Sequence, residues 1–270
     1  MKIAVLYHSD ADGFGAAFAC WKAFDSDEQV KWVPVQYGKP VPELPQTIEE
    51  LFIVDFSYDR ATCEALAAKY KLTILDHHKT AEAELSGLPY AIYDMNRSGA
   101  VMAWEHFFNG DYAEDVPTIL QYVQDRDLWR FELPESEAVN LYISTLDEDF
   151  AEWDRFDLGT AIDSGRAIKA FRDAQVMRAV KSAVLLPFAM TEYVVPQVNL
   201  SENISEVGNA MCVEFPEALF SVSFCDRLKD GKRSYSLRSI SDFDVSAIAR
   251  LFGGGGHRNA AGFTVNLEEM

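Results

Sequence analysis

Leu72-Thr73-Ile74-Leu75-Asp76-His77-His78 is the stretch whose reading decides the fold. Its first four residues form a short branched apolar run of the kind that makes a strand buried on both faces. The run ends in an aspartate and two adjacent histidines, a placement that an ordinary polar loop leaves unexplained. Two other segments are built the same way. Ile3-Ala4-Val5-Leu6-Tyr7 delivers His8, Asp10 and Asp12, and Phe52-Ile53-Val54 delivers Asp55. Open parallel sheets bind ligands beyond the carboxyl ends of their strands, so three such ends converge on one crevice. The imidazoles and carboxylates gathered there predict a metal site with two ions.

Working outward, residues 14–24 read as a helix of small residues after an Asp12-Gly13 turn. Residues 31–37 read as a second strand, 38–46 as a loop with three prolines, and 59–70 as a helix. Ser98 can cap a helix through Phe108, and residues 116–125 read as another. Repeated strand-helix-strand units imply right-handed crossovers and a parallel sheet. From 148 to 183 the pattern is helical. Strand-like segments resume at 189–198, 219–225 and 235–240, with Asp230-Gly231 as a hairpin turn. Asp244 can cap a helix through Phe252, followed by the run Gly253 to Phe263. The expected fold is α/β: an N-terminal parallel-sheet domain over 1–148, a helical linker over 149–184, and a smaller mixed-sheet α/β domain over 185–270. A cleft is expected between the two domains.

With 270 residues, 49% of them apolar, the chain can bury one large core or two modest ones. Its 24 basic residues stand against 43 acidic ones, a formal charge of -19. Such a surface repels long polyanions, yet metal ions reverse the field within a cleft, so a small phosphate-bearing substrate is expected rather than a long duplex. No apolar run is long enough to span a bilayer, and Met1-Lys2 opens directly into a strand without a signal-peptide pattern. Cys20, Cys63, Cys212 and Cys225 are too dispersed for a Cys-x-x-Cys site and read as buried thiols in a reducing cytoplasm.

In His8-x-Asp10-x-Asp12-Gly13, alternate residues leaving a strand point the same way, and mixed imidazole and carboxylate donors suit manganese, iron or zinc. Asp12 read alone is equally a helix cap. Asp55 within an apolar strand end is costly unless neutralised, which a bridging role between two cations would achieve. Asp125 and Asp127 both stand where a further carboxylate ligand is wanted, with Arg126 between them as a competing ion-pair partner. Gly253 to Gly256 strips side chains from the backbone so that amide N–H groups can meet an anion, with His257, Arg258 and Arg238 beside it. His106 reads as packing, and Trp21, Trp104, Trp129 and Trp153 as core or interface residues.

These motifs resemble the DHH phosphoesterase superfamily with a C-terminal DHHA1 domain, over nearly the whole chain, in its short-oligonucleotide branch. His8-Ser9-Asp10-Ala11-Asp12-Gly13 resembles its first motif, Asp55 the second, Asp76-His77-His78 the third and Asp125 the fourth. Arg238-Ser239, Asp244-Val245-Ser246 and Gly253 to His257 resemble the DHHA1 signature. The resemblance implies two ions, usually manganese, with His8, Asp10 and Asp55 on one and Asp12, Asp55, His77 and Asp125 on the other. It implies that Asp76 orients His77 and that His78 faces the substrate. Arg238, Gly254, Gly255, Gly256, His257 and Arg258 would hold the nucleotide. The implied activity is two-metal hydrolysis of very short RNA or linear dinucleotides to mononucleotides, in the cytoplasm, with a homodimer as an open option. A RecJ-type single-strand exonuclease, a phosphatase for 3'-phosphoadenosine 5'-phosphate and a cyclic dinucleotide phosphodiesterase are the alternatives. A pyrophosphatase fits the glycine loop less well.

Overall fold

The structure is a computed structural model and describes residues 2–24, 30–108, 115–188, 191–240 and 242–269. Two compact units divide it, Met1–Lys169 and Ala170–Met270. The first unit runs β1 (Ile3–His8), α1 (Ala11–Ala23), β2 (Val30–Val35), β3 (Glu50–Val54), α2 (Arg60–Ala67), β4 (Lys71–Asp76), α3 (Lys79–Leu85) and β5 (Ala91–Tyr93). It continues through α4 (Gly99–Phe108), α5 (Thr118–Asp127), α6 (Ser136–Ile143) and α7 (Phe150–Asp154) into the long α8 (Leu158–Ser182), within which the division between the units falls.

The five strands are all parallel, in the order β2-β1-β3-β4-β5. Alternation along the central strands explains why residues 3–7 of β1 and 51–54 of β3 are apolar without a break. Val5, Tyr7, Phe52, Val54 and Leu75 face a core shared with α1, α4 and α5. Ala4, Leu6, Leu51, Ile53, Leu72 and Ile74 face a second core that includes Cys63, Leu66 and Leu85. A sheet covered on both sides needs hydrophobic residues at every position. Fully burying a Val, Leu, Ile or Phe among them contributes about 1.5–3 kcal/mol. Pro34 is tolerated because β2 is an edge strand. From β1 the chain first moves to one side, to β2, and then returns to the other, to β3. That reversal places a switch point beyond the ends of β1 and β3.

The second unit carries β6 (Val184–Pro187), β7 (Val194–Asn199), α9 (Ile204–Glu214), β8 (Ser221–Arg227), β9 (Lys232–Arg238), α10 (Val245–Leu251), β10 (Gly255–His257) and β11 (Ala260–Asn266). Its sheet is mixed, in the order β10-β11-β9-β8-β7-β6, with β7 and β8 the parallel pair. One core joins Phe188, Phe220, Leu237, Ile248 and Phe263, and another joins Val176 and Val180 of α8 to Val207 and Met211 of α9.

Several boundaries differ from the sequence reading. Helix α1 begins three residues early because Asp10, not an Asp12-Gly13 turn, caps it: its Oδ1 accepts from the Gly13 N–H at 2.9 Å. Helix α5 starts and ends two residues later than expected, with consequences below. Residues 189 and 190 of the expected strand 189–198 lie outside the described residues, and the strand runs Val194–Asn199. The short α3, β5 and α6, and the helix α9, carry no sharp cap or period signal and went unread. Cys20, Cys63 and Cys212 are buried and Cys225 half-buried, all four as free thiols. Among the described residues, no helix is long and apolar enough to cross a membrane.

Candidate metal centre

His8 ends β1, Asp55 follows β3, and Asp76, His77 and His78 end β4, so the three segments meet at the switch point. Asp12 arrives from the first turn of α1 and Asp127 from the last turn of α5. Three groups of donors within 4.8 Å of one another result: His8, Asp10 and Asp55; Asp12, His77 and Asp127; and Asp55, His77 and His78. His77 Nε2 lies 3.1 Å from Asp55 Oδ1, 3.5 Å from Asp127 Oδ2 and 3.6 Å from Asp12 Oδ2.

Two features show that these donors are arranged for cations rather than for one another. His8 Nδ1 sits 2.7 Å from Asp10 Oδ2 and 3.7 Å from Asp55 Oδ2. Despite that closeness, His8 Nδ1 and Asp55 Oδ1 are buried and lack hydrogen-bond geometry to any partner. An unpaired buried carboxylate oxygen costs free energy that a divalent ion recovers. The electrostatics agree. Burial, then the neighbouring Asp12, pushes the Asp55 carboxyl well above the usual carboxylate range. The same two causes push Asp127 up to about 7. The carboxylates of Asp10 and then Asp55 raise the His8 imidazole to about 10. Mixed nitrogen and oxygen donors fit a divalent transition metal.

The carboxylate of Asp12 is held at the start of α4, accepting from the Gly99 N–H at 2.6 Å and the Ala100 N–H at 3.0 Å. Gly99 has no room for a side chain, since a Cβ there would stand 2.4 Å from that of Asp55. Asp55 itself has a left-handed backbone, φ 55°, that turns it out of the strand.

Two expectations are corrected. Asp125 does not face the donors. Its carboxylate accepts from the Glu132 and Leu133 N–H groups at 3.0 and 3.2 Å, and Asp127 stands beside His77 instead. Two residues are more than half a helical turn, so only one of the pair can point to the centre. Asp76 does not orient the His77 ring either. Its Oδ1 accepts from the backbone N–H groups of His77 and His78 and meets His78 Nδ1 at 2.7 Å, while Oδ2 accepts from Ser57 Oγ at 2.5 Å. Burial raises the Asp76 carboxyl, but His78 and Ser57 together outweigh it and bring it below the usual range.

Gly99, Ser57 and Tyr37 were missed in the sequence. Tyr37, 51% exposed, sets its ring edge-on to His8 and His78 with centroids 5.5 and 5.9 Å away. A glycine opening a helix next to a predicted cap was the available signal for Gly99; nothing local marks the other two.

The remaining predicted residues belong to the second unit. His257, Ala260 and Arg238 lie in one row across β10, β11 and β9, so His257 and Arg238 share an end of the sheet. Arg238 donates to Ser205 Oγ and to the Leu237 carbonyl, both at 2.9 Å. Gly254 packs too closely on Gly262 and Phe263 to carry a side chain, and Gly256 adopts φ 138°, open to glycine. Gly255 is open, and Arg258 is turned to the Asp242 carbonyl at 3.1 Å, clamping the loop before α10.

Residues 2–127 match the DHH family, N-terminal domain. The uncharacterized protein R106 of Acanthamoeba polyphaga mimivirus is 31% identical, the match covering 96% of this chain and 66% of that protein. Oligoribonuclease NrnB of Bacillus subtilis is 25% identical, covering 97% of this chain and 72% of that protein. The chain thus spans roughly two thirds to three quarters of those lengths. An exopolyphosphatase-related protein from Bacteroides fragilis has a TM-score of 0.60 at 15% identity, over 97% of this chain and 86% of that one. Exonuclease RecJ bound to manganese gives 0.57 at 13% identity, over 98% and 86%. The pGpG-specific phosphodiesterase PggH from Vibrio cholerae gives 0.55 at 16%, over 100% and 95%. These three share the fold with the chain.

Proposed function

Because the chain belongs, through residues 2–127, to the DHH superfamily of metal-dependent phosphoesterases, we propose that it hydrolyses very short RNA oligonucleotides or linear dinucleotides to mononucleotides with manganese. The observation that carries the reading is the pair of donor triads with Asp55 and His77 between them. His8, Asp10 and Asp55 would hold one ion, and Asp12, His77 and Asp127 the other, with Asp55 reaching both. Such a pair, when bound, supplies Lewis acidity and an activated water for in-line attack at phosphorus. The chain's own groups do the rest. Asp76 fixes the His78 ring through Nδ1, leaving Nε2 to give a proton or hydrogen bond to the departing oxygen. In the second unit, Arg238, Gly254, Gly255, Gly256 and His257 would recognise a phosphate of the nucleotide, with Arg258 holding their loop.

Short substrates are favoured by the charge of -19 and by the similarity to an oligoribonuclease. The test is a substrate panel for the full chain with manganese: a linear dinucleotide, a cyclic one, long single-stranded RNA and DNA, 3'-phosphoadenosine 5'-phosphate and pyrophosphate. The linear dinucleotide should be consumed with the highest kcat/KM. Faster consumption of the long single strand would assign the RecJ-type alternative instead.

A further inference from the structure

Trp129 is out of keeping with the other tryptophans. Trp104 and Trp153 are 3% and 4% exposed, whereas Trp129 leaves 53% of its surface in solvent. It also has a left-handed backbone, φ 54°, as does Phe131 two residues on, φ 53°. Bulky side chains rarely occupy that region unless the surroundings enforce it. Here Asp125 enforces it. Its carbonyl accepts from the Arg130 and Phe131 N–H groups, and its carboxylate takes the next two, Glu132 and Leu133. The Trp129 N–H meanwhile bonds the Arg126 carbonyl at 2.9 Å. The chain is wound around one buried aspartate, and Trp129 is held up at the rim. Phe131 meets its ring edge-on, centroids 4.9 Å apart, and props it there.

The rim is that of a pocket of about 340 Å³ lined by Asp10, Asp12, Arg126, Asp127, Trp129 and Asn140 among others. Three of these are donors of the metal centre, so an aromatic face stands in the same pocket as the phosphate-activating groups. The volume lies at the small end of ligand pockets. We propose that Trp129 is the stacking platform for a nucleobase of the substrate, next to the scissile phosphate. The proposal rests on the phosphodiesterase reading above and narrows its substrate to one bearing a base. Pyrophosphate and polyphosphate offer nothing for an indole to stack on, whereas any of the four bases does. A sequence-tolerant enzyme with a preference for nucleotides follows.

The experiment compares KM for an ordinary dinucleotide with KM for the same dinucleotide made abasic, in the wild type, Trp129→Leu and Trp129→Phe. Loss of one stacked base should raise KM by about 5- to 140-fold. The wild type should therefore discriminate against the abasic compound, Trp129→Leu should lose that discrimination, and Trp129→Phe should keep most of it. Manganese content equal to wild type certifies an intact centre in each variant. Unchanged discrimination in Trp129→Leu would overturn the proposal. Should the wild type cleave no dinucleotide, the phosphodiesterase reading fails by itself, and tryptophan fluorescence still decides the subsite. Saturable quenching by AMP with manganese, absent from Trp129→Phe, sustains it; no quenching, or equal quenching in both, rejects it.

Discussion

At the scale of single residues, the division of labour between Asp125 and Asp127 is the sharpest result. Both are carboxylates at the end of α5, and only direction separates them. Asp127→Asn should lose about half the bound metal, because it removes a donor beside His77. Asp125→Asn should keep the metal and lose stability, by about 1–3 kcal/mol, because two N–H groups lose a charged acceptor. Metal analysis after gel filtration, with denaturant midpoints, separates the two; metal loss in Asp125→Asn would contradict the geometry. A pH dependence follows from the same residues. Asp127 is raised to about 7 and His8 to about 10, so in the metal-free protein His8 carries a proton across the neutral range and Asp127 takes one up as the pH falls through neutrality. An ion must displace those protons, and affinity therefore falls as the pH is lowered from 8 to 6. Calorimetry in two buffers of different ionisation enthalpy should register proton release; identical enthalpies in both would refute it.

Among the elements, the start of α4 does the most to position the centre. Two of its N–H groups grip Asp12, and Gly99 lets Asp55 lie against the helix. Free N–H groups at a helix start stabilise a carboxylate. Gly99→Ala drives a methyl into Asp55, so it should cost about 1–3 kcal/mol of stability and reduce turnover at least tenfold. Thermal melting and kcat measure the two; wild-type values in both would show that the close approach is not required. The strand ends were legible because runs such as residues 3–7 and 52–54 are apolar at every position, a pattern that a twice-covered strand needs. The short helices were not, since a few residues packed by tertiary contacts need no strong propensity of their own.

For the molecule as a whole, the formal charge of -19 sets the sign of a salt effect. A chain that repels polyanions should take up a long oligonucleotide better as salt rises and the Debye length shrinks to about 8 Å at 0.15 M. A dinucleotide should respond far less. An enzyme that tracks along a strand through basic contacts shows the reverse, losing long substrate steeply as salt is added. KM for a dinucleotide and a long strand, measured from low to physiological salt, distinguishes them.

Composition and order along the chain were enough to read an α/β protein whose strands end in side chains able to hold a metal, because burial on two faces and ligand chemistry both leave local marks. They also named His8, Asp10, Asp12, Asp55 and His77. Folding alone decided that Asp127 and not Asp125 stands beside them, that Asp76 bonds His78, that Gly99 lies against Asp55 and that Trp129 lines the same pocket. Those outcomes depend on the rotation of a helix by two residues and on which atoms approach from distant segments. Neither quantity is written in any local pattern.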